Sequence, residues 1–424
     1  MPTLATEPAP ANTNANTSTG VRALGRRLQL TRAAHWCAGN QGDPYALILR
    51  AVADPEPFER EIRAAGPWFH SAQLDAWVTA DPEVAAAVLA DPRFGTLDRA
   101  GRRPDAELLP LAEAFPLPER AELVRLRALA DPVLSRCAPA QASCAARTTA
   151  RRLLGRRLPA GDAGDAGFDL VTDVARPYAV ELMLRLLGVP GRDRDTAARA
   201  LAACGPQLDA RMAPQLLTVA RESADAVRTL AELVPELVAE KSRSAGTAGP
   251  RPDDVLALLL HDGVTPHDVE RIALLLAVGT PEPVVTAVAH TVHRLLGRPG
   301  EWERARRTPA AASAVDQVLR DRPPARLESR VAHADLELGG RRITADEHVV
   351  VVAAAGREAP GPEPLGGPDG PQSALALPLV RLAATTAVQV TAGRLPGLRA
   401  EGPPLTRPRS PVLGACARFR VHPG

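Results

Sequence analysis

The chain has 424 residues, 45% of them apolar, enough for one large core or for two to three ordinary ones. Its net charge of +2 comes from 51 basic and 49 acidic residues interspersed along the chain, which argues against the basic stripe of a nucleic-acid binder. Aromatics make up only 3%, so the core must be mostly Leu, Val and Ala, and the five cysteines (Cys37, Cys137, Cys144, Cys204, Cys416) lack metal-type spacing, as expected of free thiols in a reducing cytoplasm.

Residues 1–20, "MPTLATEPAPANTNANTSTG", are polar, contain no apolar segment and predict a disordered tail. The longest apolar runs, Ile272–Val278 and Val349–Ala355, are too short to span a bilayer, so a soluble cytoplasmic protein without membrane contact is expected. "AWVTA" from Ala76 predicts a strand and Asp81–Leu89 a short helix. In Pro116–Ser135, Leu123, Leu126, Leu129 and Leu134 lie mostly on one helical face. A loop over Gly155–Gly167 precedes a helix expected after Pro177, and Ala213–Glu240 predicts a long amphipathic helix. Lys241–Pro252 is a flexible link. Thr265-Pro266-His267-Asp268 is a helix start, with a Thr cap, Pro at the first position and an acid in the first turn. The apolar run beyond it continues toward Leu296, where Pro281 and Pro283 must interrupt or kink it. Two helices near Glu301–Arg307 and Ala310–Arg320 precede a strand cluster with a Gly339-Gly340 hairpin turn. A Gly/Pro-rich loop, "REAPGPEPLGGPDGPQSA" (Arg357–Ala374), contains no Cys, His or Lys; a helix over Ala374–Val390 and a terminal strand pair follow. The order is mainly α with small β-sheets early, in the middle and at the end.

This order, from about Val21 to Val421, resembles a bacterial cytochrome P-450. "ADPRF" (Ala90–Phe94), "LVRLRALADPVLS" (Leu123–Ser135), "LLLAVGTPEPVV" (Leu274–Val285), the stretch Ala314–Ile343 and "LPLVRLAA" (Leu377–Ala384) carry the resemblance. It implies one P-450-like domain over 21–424. It also implies that the haem apparatus is missing. A haem-thiolate enzyme needs a Cys sulfur on the iron. The family places that Cys four residues before the Pro of the final helix, which here is Ala374. The His two residues earlier is Gln372, and the loop is shorter than the family's. The acid–hydroxyl pair for proton relay becomes Gly279-Thr280-Pro281-Glu282-Pro283, with the order changed. Glu-x-x-Arg becomes Gln317 to Arg320, which exchanges an ion pair for an Arg–Gln hydrogen bond. The propionate-binding His is Leu123, while Arg127 and Arg330, at propionate positions, are kept. These departures together imply a fold without haem. Removing a cofactor leaves an apolar cavity that destabilises unless it shrinks, and the shortened loop and two prolines are the features expected to close it.

"HWCAGNQGDPY" (His35–Tyr45) and "RSPVL" (Arg409–Leu413) narrow the resemblance to the P-450-like helper proteins that accompany glycosyltransferases in macrolide and anthracycline pathways. That resemblance implies a non-catalytic partner that activates or stabilises a transferase of TDP-deoxysugars, and it implies a hetero-oligomer. Partner-contact candidates are Arg26, Leu28, Leu30, His35, Trp36 and Tyr45, because aromatics are enriched at interface hot spots; packing of Trp36 and Tyr45 onto their own domain is the equal alternative. Two other readings stand beside it: a haem-dependent or repurposed P-450-type monooxygenase, and an aglycone-binding protein using the vacated pocket. His290 and His293 share a helical face, but with no HExxH and no third ligand a structural role outweighs a metal site.

Overall fold

The computed structural model describes residues 13–52, 54–100, 118–157, 167–244, 253–353 and 375–423. Among them are fifteen helices and twelve strands, a mainly α fold with small sheets. In chain order these are α1 (Thr13–Asn40), α2 (Pro44–Leu49), α3 (Glu56–Ala64), β1 (Phe69–Ser71), β2 (Ala76–Thr79), α4 (Pro82–Ala90), β3 (Phe94–Gly95) and α5 (Arg120–Arg157). There follow β4 (Phe168–Asp169), a π-helical turn (Val171–Ala175), α6 (Arg176–Leu186), α7 (Arg194–Ala203), α8 (Pro206–Ala210), α9 (Leu217–Ser244), α10 (Val255–His261), α11 (Pro266–Gly279) and α12 (Pro281–Leu296). The chain continues through α13 (Glu301–Arg304), α14 (Thr308–Asp321), β5 (Leu327–Ala332), β6 (Leu336–Leu338), β7 (Arg341–Ile343) and β8 (His348–Val352). It closes with α15 (Leu377–Arg394), β9 (Arg399–Ala400), β10 (Leu405–Thr406), β11 (Cys416–Arg418) and β12 (Arg420–His422).

One device starts three of these helices. Asp43, Asp81 and Thr265 each precede a proline, and each side chain accepts a hydrogen bond from an amide of the first turn. The proline has no N–H to leave orphaned and its φ is already helical. The α11–α12 run breaks at Thr280, where Pro281 supplies no amide. The Thr280 amide still reaches the Leu276 carbonyl at 3.0 Å, and Val284 reaches back to Thr280 at 3.1 Å, so the axis is interrupted without unravelling. Gly339 and Gly340 sit at φ 58° and 72°, the left-handed values a two-residue hairpin turn requires, and they join β6 to β7 as expected.

A five-stranded sheet in the order β1-β2-β8-β5-β3, with β2 and β8 parallel, packs beside the helical body. The last two strands do not pair with each other: β11 pairs with β10, and β12 lies between β4 and β9. The break falls at Phe419, whose side chain is buried. The main core is made by α5, α6, α9, α11, α12 and α15 and is built from Leu, Val and Ala, with Ala383, Ala384, Ala387 and Ala392 along α15. Tyr178 of α6 ties into it by donating to the Ala383 carbonyl at 2.9 Å.

Two sequence expectations change. The helix α1 begins at Thr13, inside the stretch expected to be a tail, because a helix extends from an anchored segment more easily than it nucleates. The apolar run of α11 and α12 is longer than expected: Pro266–Leu296 covers 31 residues, long and apolar enough to cross a membrane by composition. In the fold, 83% of its most apolar 18-residue window is buried inside the protein, so the helix pair is core.

Candidate functional site

The described haem-apparatus positions have protein neighbours. Leu123 on α5 is buried in the same contiguous core as Ala277, Val278, Leu375 and Ala376. A Cβ on Gly279, at the end of α11, would lie 3.8 Å from the Ala376 Cβ, just before α15. That is van der Waals contact. A flat macrocycle between the two would need two such contacts, roughly 7 Å of clearance. The described residues therefore do not fit a haem at this place. Ala374 and Gln372 lie outside the described residues, as does most of the Gly/Pro-rich loop.

The retained arginines have turned to protein partners. Arg127 pairs with Asp131 one turn along α5, at 3.1 Å. Arg330 is buried in β5 and donates to Glu328 and to the Ser329 carbonyl, both at 2.8 Å. Gln317 does not bond to Arg320: its Oε1 accepts from Arg294 on α12, while Arg320 is exposed. Consecutive turns of α14 face different neighbours, so an i, i+3 motif need not close on itself.

At the α11–α12 break the structure joins the acid of the relay motif to residues that sequence reasoning missed. Glu282, 1% exposed, accepts from Arg176 at 2.8 and 3.2 Å, and Arg407 lies 3.3 Å from it. Arg407 also reaches Asp209 of α8 at 2.9 Å. Asp209, fully buried, accepts further from the Ser410 hydroxyl at 2.6 Å and from the amides of Val412 and Leu413 at 3.0 Å. Burial is the largest influence on both carboxyls. It holds Asp209 above its ordinary value despite Arg407 and Ser410. For Glu282 the two arginines more than offset it, and the carboxyl lies below its ordinary value. Thus the acid left over from the relay motif is a structural anchor. The "RSPVL" stretch is its other end. Among the sequence signals the relay motif and this stretch pointed near it; Arg176 and Asp209 carried none.

The nearby thiols are poor ligands. Burial, with Glu282 adding to it, pushes both Cys204 and Cys416 up to about 12. Cys416 Sγ lies 3.4 Å from His290 Nε2, and burial lowers His290 to about 3, so this pair is neutral. His293 packs edge-on to Phe419 at 5.7 Å. No group of three metal-ligating side chains occurs among the described residues. A cavity bounded by Ala146, Thr149, Val174, Tyr178 and Val390 holds about 30 Å³, room for a water rather than a polyketide.

The N-terminal candidates divide by helical period. Leu28 is buried against Ala210 and Ala220, with Leu24 and Leu217 beside it. His35 is buried, and burial lowers it to about 4 against the opposing charge of Asp43. Tyr45 is buried in a second core under the sheet. These three belong to the protein's own packing, contrary to the interface expectation. Arg26 is exposed, Leu30 is 64% exposed and Trp36 is 56% exposed, with Arg50 stacked 4.0 Å over the indole. Leu30, Ala33, Ala34 and Cys37 all face solvent at i, i+3, i+4 and i+7. Helix α1 therefore has one face docked and a second apolar stripe uncovered.

No protein-family profile matches the chain. Individual proteins do. The chain is 38% identical over 432 residues to protein AknT of Streptomyces galilaeus, spanning 93% of this chain and 95% of AknT. It is 30% identical over 433 residues to the cytochrome P450 family protein EryCII of Saccharopolyspora erythraea, spanning 96% and 99%. The chain belongs to the cytochrome P-450-like auxiliary proteins. Its fold matches the solved structure of P450BioI, in complex with an acyl carrier protein ligated to hexadec-9Z-enoic acid, with a TM-score of 0.68 over 87% of this chain and 98% of that one. At 22% identity this likeness is one of fold. In this P-450-like auxiliary protein the place of the relay motif is taken by the Arg176–Glu282–Arg407–Asp209 anchor.

Proposed function

We propose that this auxiliary protein is a non-catalytic, haem-free, cytoplasmic partner that binds a TDP-deoxysugar glycosyltransferase of polyketide antibiotic biosynthesis and activates or stabilises it. The narrow space between Gly279 and Ala376, where a Cβ added to the glycine would lie 3.8 Å from the Ala376 Cβ, is the observation that supports the haem-free reading. The uncovered stripe of α1 around Leu30 supplies the surface. The protein then acts by mass action. Binding that favours the transferase's competent conformation raises its active fraction, and by linkage each partner stabilises the other.

The test is glycoside formation by a transferase of this class, with and without co-expression of this chain. A large gain in product, equal in an Ala374→Cys variant, is expected. The same variant, produced with haem supply and examined as the reduced, CO-treated protein, is expected to show no thiolate-type absorption band. Such a band in either protein would restore the monooxygenase reading. Absence of any gain across sugar and aglycone pairs would remove the activator role.

A further inference from the structure

Helix α1 is clasped from behind its uncovered stripe. Leu28, Arg32 and His35 recur at i, i+4 and i+7, on the face opposite Leu30, Ala33, Ala34 and Cys37. Leu28 packs with Ala210, the last residue of α8, which directly follows Asp209. Arg32 Nη2 donates to the Gln215 carbonyl at 3.2 Å. The Gln215 side chain, 3% exposed, reaches the C-terminal loop: its amide donates to the carbonyls of Ala213 at 3.1 Å and Arg409 at 2.8 Å. Arg409 stands at φ 60°, a left-handed conformation that a residue with a Cβ adopts at a cost. The residues after it hold it there, because Ser410, Val412 and Leu413 all bond to the buried Asp209. Asp209 also takes Arg407, which lies 3.3 Å from Glu282.

A connected set of polar contacts thus runs from Glu282 through Arg407 and Asp209 to the loop at Arg409, then through Gln215 to Arg32 of α1. Its two ends differ. Asp209 is fully buried, whereas α1 is a surface helix with an outer face open to solvent. Such a helix opens locally unless its inner side is held. The burial of Leu28 holds it without fixing direction. The Arg32–Gln215 hydrogen bond is directional and fixes the rotation of α1 about its axis. That rotation decides which side chains form the stripe, since one residue corresponds to about 100° of turn. We infer that Gln215 is a positioning residue for partner binding: it fixes α1 against the loop that Asp209 anchors, and so sets the orientation of the Leu30 stripe. This rests on the proposed function for the stripe as the partner's surface, and it gives a role in binding to a buried residue that is no part of that surface.

The experiment uses the full chain and a transferase that it activates. Gln215→Met keeps the buried volume and removes the amide donor, which leaves the two carbonyls unsatisfied. Arg32→Ala cuts the clasp from the α1 side without touching the loop, and Arg32→Lys restores a donor. Hydrogen exchange of the α1 amides is followed with those of α15 as the internal reference, and affinity is measured by titration calorimetry at low and high salt. Gln215→Met and Arg32→Ala are expected to speed exchange in α1 on the order of tenfold and to leave α15 unchanged. Both should weaken transferase binding about tenfold, equally at the two salt concentrations, because orientation and not charge is lost. Arg32→Lys should recover both readouts. Wild-type exchange in α1 of both variants would overturn the clasp. Fast exchange with wild-type affinity, or a binding loss that vanishes at high salt, would overturn the positioning role; each of these results leaves the proposed function standing. No complex with the wild-type chain would overturn the proposed function and the binding role together, while exchange in α1 would still decide the clasp.

Discussion

At the α11–α12 junction buried carboxylates meet arginines from distant segments, whereas along the outer face of α1 apolar side chains meet solvent. The two regions use overlapping residue types in opposite ways. Arg176 and Arg407 offset the desolvation of Glu282 and Asp209, and the structure closes around them. Arg50 stacks on one face of Trp36, and Leu30 and Trp36 still stand 64% and 56% exposed. The difference shows where a P-450 fold can change role. In the interior the buried charges are satisfied within the chain, while α1 has one apolar face docked and a second stripe uncovered.

The comparison breaks most readily at Glu282. Glu282→Ala leaves two partly buried arginines without their shared anion, and about 3 kcal/mol of stability should be lost, at the lower end for buried pairs because both arginines keep some exposure. Urea unfolding measures this; a loss below about 0.5 kcal/mol, the size of a surface change, would show that the network is not the anchor.

The docked face of α1 gives the next effect. His35 has a folded pKa of about 4 against an ordinary 6.5, so the unfolded chain binds the extra proton first. Stability is full above pH 6.5 and declines as the pH falls toward 4, by at most about 3 kcal/mol, with His290 extending the decline to about 3. Melting temperatures between pH 7.5 and 4.5 should fall less steeply for His35→Asn; an unchanged slope would place the titration elsewhere.

On the uncovered face the effect should fall on binding alone. Leu30→Glu and Trp36→Ala should leave the melting temperature within a degree or two and weaken transferase binding by about 2 kcal/mol, roughly thirtyfold. Destabilisation comparable to that of Glu282→Ala would erase the distinction between the two regions. The smallest effect sharpens it. Gln317→Glu would give Arg294 a charged acceptor and raise stability by no more than about 1 kcal/mol, without bringing any haem absorbance.

Much was written locally. Asp43-Pro44, Asp81-Pro82 and Thr265-Pro266 announce their helices because a cap and a pre-set φ act within one turn. Pro281 announces the break between α11 and α12, and Gly339-Gly340 the hairpin, for the same reason. The resemblance of the whole order located the positions at which a P-450 would carry its haem motifs. What the linear pattern left open is which side of each element meets what. Arg176 finds Glu282 across 106 residues and Arg407 finds Asp209 across 198, so no sequence window contains both charges. Likewise Leu28, His35 and Tyr45 stood together with Leu30 and Trp36 as interface candidates until the helical period and the position of α8 and α9 separated the docked face of α1 from the uncovered one. Local chemistry determined the elements; long-range packing decided which charges are anchors, which apolar side chains are core, and which stay exposed.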